Sequence, residues 1–168
     1  MAEMSANPIG NQAAPTFKAN LRLWSDTVPL APVVQASLCQ WDRLYIKGQT
    51  IPARGKASPH IATRHYATSE DREYADIRDI GPVIEQWLDE IESGRPPIAS
   101  LAQQGRIEAV LWVAIFGGDE VATPVLSEEI DKRAKSAGVQ ILLENYTIEE
   151  PEDGNSDKTF LGAIQSRR

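Results

Sequence analysis

The residues best suited to chemistry lie in one stretch, positions 43–69, which contains no Asp or Glu. The next stretch, 71–92, carries eight acids and only two arginines, and these acids are predicted on the solvent face of a helix. A positive surface of this kind could hold an acidic protein partner, a phosphate or a nucleic acid. The simpler interpretation, favoured here, pairs these cations with the acids of 71–92, where each surface pair contributes about 0–1 kcal/mol. The candidate binding residues are Arg43, Lys47, Arg54, Lys56, His60, Arg64 and His65.

The two histidines are not predicted to form a metal site. The pattern over residues 60–67 predicts a single strand. Side chains alternate between the two faces of a strand, so His60 and His65, five positions apart, point in opposite directions. The neighbouring sequence also lacks the thiol and acid partners that a tetrahedral site requires. No metal or other cofactor is therefore predicted.

Nucleophilic catalysis is not predicted either. Cys39 follows an apolar helical segment, which is typical of a small buried hydrophobe. Ser25 and Asp26 precede Thr27 in a pattern typical of turns and caps, and no Gly-x-Ser-x-Gly motif frames the serine. The glycines do not form a phosphate-binding loop. The sequence leaves catalysis open and favours a protein that is not an enzyme.

Length and charge restrict the class of protein further. The 168 residues suffice for one domain with its own core. The net charge of -7 argues against general nucleic-acid binding, which needs a positive footprint. The single cysteine excludes an internal disulfide and agrees with a cytoplasmic location. The longest apolar run, 109–116, is far shorter than the roughly 20 residues that span a bilayer, and the N-terminus does not resemble a secretory signal.

The elements that must position these side chains are clearest towards the C-terminus. Residues 106–116 predict a long strand that is apolar on both faces for most of its length. Ser127 predicts the N-cap of a helix and Gly138 its end. Residues 139–143 predict the next strand. Together these three segments predict a compact unit of strand, helix and strand.

Four tryptophans divide into two groups. Trp87 lies on the apolar stripe of a helix predicted to end at Gly94, and is expected in the core. Trp112 lies on the long strand and is also expected in the core. Trp24 and Trp41 fall at the ends of elements, where half-exposed rings could act as contact anchors.

A faint internal repeat suggests how the elements are arranged. Residues 30–46 align with 126–142 without a gap, and both segments are predicted as helix then strand. Two strand–helix–strand halves would then share one sheet. We predict an α+β fold with a single mixed or antiparallel sheet of five or six strands and helices mainly on one face. The favoured topology is ferredoxin-like or a duplicated split βαβ arrangement.

Composition also predicts where the domain begins and ends. Residues 1–16 are rich in Asn, Gln, Ala and Pro, and predict a disordered lead. Residues 17–148 form the predicted domain. Residues 149–168 begin with an acidic, turn-rich run and predict a disordered tail.

Several short segments follow one another in a recognisable order. They are Leu21-Arg22-Leu23-Trp24-Ser25-Asp26-Thr27, the Pro-containing helix that follows, Lys47-Gly48, Leu126-Ser127-Glu128-Glu129-Ile130 and Ala137-Gly138-Val139. Their order resembles a family of uncharacterised bacterial proteins, the domain of unknown function numbered 4279. The resemblance covers about residues 17–148. It implies a bacterial cytoplasmic protein with one α+β domain, and it supplies no catalytic residues.

The function predicted from the sequence is a non-catalytic protein-binding or regulatory role, with toxin neutralisation as one concrete version. Two alternatives remain open. One is a small-ligand-binding protein or enzyme with a pocket near Arg43, His60, Arg64 and His65. The other is nucleic-acid binding through residues 43–64, although the charge makes nucleic acid the weaker partner. The oligomeric state does not follow from the sequence.

Overall fold

A computed structural model describes residues 15–53, 55, 57–95, 97–117 and 123–147. These residues form eight strands and four helices. In chain order the elements are β1 (Thr16–Ser25), α1 (Ala31–Ala36), β2 (Trp41–Tyr45), β3 (Thr50–Ile51), β4 (His60–Ile61), β5 (His65–Ser69), β6 (Arg72–Tyr74), α2 (Gly81–Glu92), α3 (Ile98–Gln103), β7 (Glu108–Gly117), α4 (Glu128–Ser136) and β8 (Val139–Thr147).

Six strands form one mixed sheet with the order β2-β5-β1-β7-β8, and β6 pairs with the other half of β1. β1 is antiparallel to β5, β6 and β7, whereas β8 is parallel to β7. The short strands β3 and β4 form a separate hairpin-like pair. The predicted α+β class, with one mixed sheet of six strands, is confirmed.

The two strand–helix–strand units are both present and share the sheet. β1-α1-β2 is a split unit, because β5 lies between β1 and β2 and is antiparallel to each. In the second unit, β7-α4-β8, the two strands are direct neighbours. The long antiparallel pair of β1 and β7 joins the units at the centre of the sheet.

The helices and the sheet enclose one core on a single face of the sheet. Alternate residues of β1 are buried from Phe17 to Leu23, and Leu111, Val113 and Ile115 of β7 join the same cluster. The α2 stripe that contains Trp87 is buried against them, as its helical spacing predicts. Cys39 is also buried in this cluster, as expected for a small hydrophobe.

The predicted start and end of α4 are both found in the structure. Ser127 caps α4 by accepting a hydrogen bond from the backbone N–H of Ile130 at 3.3 Å. Gly138 has φ +71° and lies so close to α3 that an added Cβ would be 2.7 Å from the backbone nitrogen of Gln103. Only glycine combines that backbone angle with that approach.

Three predictions need correction. Residues 60–67 are not one strand: the chain bends between β4 and β5, so His60 and His65 lie in different sheets. The acids of 71–92 do not all lie on a helix, since the strand β6 precedes α2. Trp112 is half-buried and does not join the core, because the helices cover β7 on the other face only.

The predicted termini lie largely outside the described residues. Of the lead at 1–16, only Pro15 and Thr16 are described, and Thr16 begins β1. The tail at 149–168 lies entirely outside them. No helix among the described residues is long and apolar enough to cross a membrane.

Candidate interaction surface on the open face of the sheet

One face of the sheet carries aromatic and charged side chains instead of helices. We call it the open face. Alternation along β1 and β7 puts one set of residues in the core and the other set here, as the alternating burial of both strands shows. None of its large aromatic side chains belongs to the core cluster or packs against it. These aromatic residues are Trp24, Tyr45, Tyr66, Trp112, Phe116 and Tyr146.

The first group of rings forms a row across three strands. Trp24 of β1 pairs with Tyr66 of β5, and Tyr45 of β2 pairs with Tyr66 on its other side. The ring centroids are 5.4 Å apart for Trp24 and Tyr66, and 6.0 Å apart for the stacked rings of Tyr45 and Tyr66. We call these three residues the aromatic row. Direct cross-strand contacts of this kind hold the rings in fixed positions.

The second group lies across β7 and β8 and is organised by a carboxylate. Glu144 accepts hydrogen bonds from Nε1–H of Trp112 at 2.8 Å and from the hydroxyl of Tyr146 at 2.6 Å. The ring of Tyr146 stacks on Phe116 with centroids 5.3 Å apart. We call these four residues the Glu144 cluster. Its rings are therefore held by both packing and directed hydrogen bonds.

The hydrogen bonds of the Glu144 cluster shift two pKa values in opposite directions. The bonds from Tyr146 and Trp112 lower the pKa of Glu144, and the guanidinium of Arg22 acts in the same direction. Burial and the bond to Glu144 raise the pKa of Tyr146 to about 12. At neutral pH the pair is therefore a carboxylate with a protonated phenol, and the phenol is held as a donor.

Cations on the open face are already matched by acids or rings. Arg22 places its Cζ 4.5 Å from the ring centroid of Trp112 and donates from Nε to Asn20. Lys18 approaches Glu73 at 3.4 Å and lies over Phe116. The open face is thus aromatic with balanced charge, and its described cations do not form a free positive stripe.

Of the predicted binding residues that the structure describes, Lys47, Arg64 and His65 lie together near Asp26, whereas Arg43 and His60 lie apart from them. Arg43 lies on β2, opposite Thr68, and pairs with Asp42 at 2.8 Å. His60 is exposed on the β3–β4 pair. His65 comes close to another candidate, since its Nδ1 accepts a hydrogen bond from the backbone N–H of Lys47 at 3.3 Å.

Arg64 is the candidate with the richest contacts. Its guanidinium makes two bonds of 3.1 Å to the carboxylate of Glu108, and its Nε lies 3.0 Å from Asp26. The hydrogen bond to Glu108 is the main reason that the pKa of Arg64 is raised. Lys47 donates from Nζ to the backbone oxygen of Asp26. Arg54 and Lys56 lie outside the described residues.

These contacts show which acids pair with the cations of 43–69 in the described part of the chain. Arg43 and Arg64 pair with Asp42, Asp26 and Glu108 instead of with acids of 71–92. Three acids of α2 pair instead with arginines of β6 and α4. Glu90 binds Arg72 of β6, and Asp89 and Glu92 bind Arg133 of α4.

Cys39 lies beside a partly buried ion pair under the helix layer. Its sulfur is 3.6 Å from Glu90, which accepts bonds of 2.6 and 2.7 Å from the guanidinium of Arg72. Arg72 in turn covers the ring of Trp87 at 4.2 Å. Burial first, and the negative charge of Glu90 second, raise the pKa of the Cys39 thiol to about 12. A thiol held protonated in this way is a poor nucleophile.

Sequence reasoning missed most of the open face. Trp112 and Phe116 occupy alternate positions of β7, a two-residue period that was visible in the sequence. The polar partners of Trp112 are Arg22 and Glu144, which are 90 and 32 residues away and come from other strands. Strand pairing brings these distant residues together on the open face. The sequence of a single strand does not show which strands will pair.

Comparisons of the chain with models of protein families, with curated proteins and with solved structures give no match. The described residues also contain no group of three or more His, Cys, Asp or Glu side chains placed to hold a metal ion.

Proposed function

We propose that this chain is a non-catalytic binding protein that holds a second, different protein on the open face of its sheet. The observation that carries the proposal is the set of six aromatic rings in the aromatic row and the Glu144 cluster, all outside the core cluster. All six rings are half-buried, in two groups on a face that the helices do not cover. An isolated exposed apolar side chain is ordinary, whereas several uncovered apolar side chains on one face favour an interaction site. Aromatic residues and Arg are also enriched in protein interfaces.

Fixed geometry makes these rings suitable as anchors. Ring contacts hold Tyr66 between Trp24 and Tyr45, and hydrogen bonds to Glu144 orient Trp112 and Tyr146. Side chains that are ordered before binding lose little conformational entropy when a partner arrives. A regulatory role, including the neutralising of a toxin, is one form that such binding could take, and membership of the domain of unknown function numbered 4279 is part of the same proposal.

The charges of the open face favour a protein over a nucleic acid. A strand of nucleic acid could stack its bases on aromatic rings, but it also needs free cations along its backbone. Here Lys18 faces Glu73, and Arg64 holds both Glu108 and Asp26. A surface with both charge signs fits the mixed rim of a protein partner.

The test is a pull-down with the full chain as bait from lysate of the organism that expresses it, at low and at about 0.15 M salt. We expect one protein to be recovered by the wild type and lost with Trp24→Thr and with Trp112→Thr. Val125→Thr is the matched control, since Val125 is 96% exposed and lies outside the open face. Recovery of nothing specific, or equal recovery with all three variants, would refute the proposal.

Binding to generic nucleic acid is tested in parallel by fluorescence anisotropy. A labelled single-stranded oligonucleotide is titrated with the chain at several salt concentrations. Affinity that falls steeply with salt would favour phosphate contacts over the proposed protein partner. We expect no binding at about 0.15 M salt.

A further inference from the structure

The two edges of the sheet differ in how they are protected from pairing with another chain. β2, at one edge, has only five residues and a register shift between Trp41 and Arg43. It also carries two charged side chains, Asp42 and Arg43. Short length, irregular register and charge are the devices by which proteins keep an edge strand from pairing further.

β8, at the other edge, has none of these devices. It follows β7 through nine consecutive residue pairs without a register shift. Its sequence contains no Pro, Lys or Arg and a single charged residue, Glu144. Among the described strands, β7 is its only partner. The outer side of β8 therefore presents a regular row of backbone N–H and C=O groups to which no described strand is paired.

Leu142 adds an apolar side chain to this edge. It lies near the middle of β8, on the open face, directly opposite Trp112 of β7. It remains 38% exposed, although the neighbouring strand carries a large ring. An exposed leucine in the middle of a long, regular edge strand is an expected site of strand pairing.

We propose that two copies of this chain pair through β8, antiparallel and with the two-fold axis at Leu142. In this register Leu142 meets Leu142 of the second copy, which gives an apolar row with a Trp112 at each end. Glu144 then lies opposite Gln140 of the second copy, so that a carboxylate meets an amide donor. Moving the axis by one residue, to Leu143, would place Glu144 opposite Leu142 and leave the carboxylate beside an apolar side chain.

A second copy is the occupant that this strand fits, because one register satisfies both copies at once. A two-fold interface must be self-complementary, and the pairs Leu142–Leu142 and Gln140–Glu144 meet that condition. Pairing of β8 with β8 also closes the assembly, because the irregular, charged β2 edges then remain outside. The open faces of the two copies then form one continuous surface. This inference does not depend on the proposed function.

The first test is the mass of the full chain in solution, by size-exclusion chromatography with light scattering at about 0.15 M salt. We expect twice the 18.5 kDa mass of one chain. Leu142→Lys, which brings two like charges together at the axis, should weaken the dimer at least about 100-fold. Leu38→Lys is the control, since Leu38 is 63% exposed and far from β8 in the chain. Circular dichroism confirms that both variants fold.

The second test determines the register by cross-linking. In a Cys39→Ala background, Leu142→Cys should form an intermolecular disulfide under mild oxidation, because the two residues face each other across the axis. Gln140→Cys should not, since the two cysteines would be about 13 Å apart along the strands. A monomer at all concentrations, a dimer unaffected by Leu142→Lys, or cross-linking through position 140 instead of 142 would each overturn the proposal. So would a complex in which β8 pairs only with a peptide from another protein.

Discussion

Replacing Glu90 with Gln should make Cys39 more reactive. In the wild type the thiol is buried beside the Glu90 carboxylate, and its pKa is raised to about 12. At pH 8 the thiolate fraction is then about 10⁻⁴, against about one quarter for a free thiol of pKa about 8.5. Thiolate content alone therefore makes alkylation about 2,000-fold slower than in the unfolded chain.

The substitution acts on the thiol through its electrostatic neighbours. Glu90→Gln removes the negative charge that raises the pKa of Cys39 and leaves the Arg72 guanidinium, which lowers it. The pKa of the thiol should fall, and each unit by which it falls increases the thiolate fraction tenfold. The variant also leaves Arg72 without its carboxylate while it still covers Trp87. Because the pair is partly exposed, we expect a loss of about 2 kcal/mol in the free energy of unfolding.

The assay is alkylation by iodoacetamide, followed by mass spectrometry between pH 7 and 10. Glu85→Gln is the matched control, since Glu85 is an exposed residue of the same helix. We expect at least about tenfold faster labelling for Glu90→Gln than for the control. Labelling through transient unfolding would show the ordinary thiol midpoint near pH 8.5 in every variant, whereas direct reaction keeps accelerating above it. Equal rates for the two variants, or a wild-type midpoint near 8.5, would refute the reasoning.

Three further predictions concern the core, a turn and the open face. Leu111→Ala should cost about 2–5 kcal/mol in urea unfolding, because Leu111 is fully buried, whereas Val110→Ala on the open face of the same strand should cost less than half as much. Gly138→Ala should destabilise by more than about 1 kcal/mol, from its positive φ and the contact with α3, and thermal unfolding at an unchanged melting temperature would contradict this. Trp112 emission should change only as the pH falls below about 4.3, the ordinary pKa of a Glu side chain, because the folded pKa of Glu144 is lowered. The ionised Glu144 carboxylate stabilises the fold above that pH, and this stabilisation is lost as the pH falls through the folded pKa. An emission change at or above about pH 4.3 would contradict the assignment.

Local chemistry explains why several elements could be predicted from the sequence. Ser127 and Gly138 delimit α4 through a side-chain cap and a positive φ, and both effects act within a few residues of the chain. The stripe through Trp87 is another local signal, because helical spacing puts its members on one face in any context. The weak alignment of 30–46 with 126–142 also anticipated two strand–helix–strand units in one sheet.

The candidate site was harder to predict because its partners are distant in the sequence. The binding residues chosen from the charge pattern were grouped by position along the chain. Strand pairing instead separates His60 from His65 and directs Arg64 to Glu108, 44 residues away. Among the acids that follow the basic stretch, Glu90 pairs with Arg72 of β6 and Asp89 with Arg133 of α4.

The sequence alone determined the long strands β1, β7 and β8 and the helices α2 and α4, because their signals depend on neighbours within a turn or a few residues. Only the tertiary structure decided which face of the sheet receives the helices. That choice put Leu111 in the core and left Trp112, the next residue, half-buried on the other face. The physical reason is that a strand's two faces can be equally apolar in sequence, while their burial depends on what the rest of the chain packs against them.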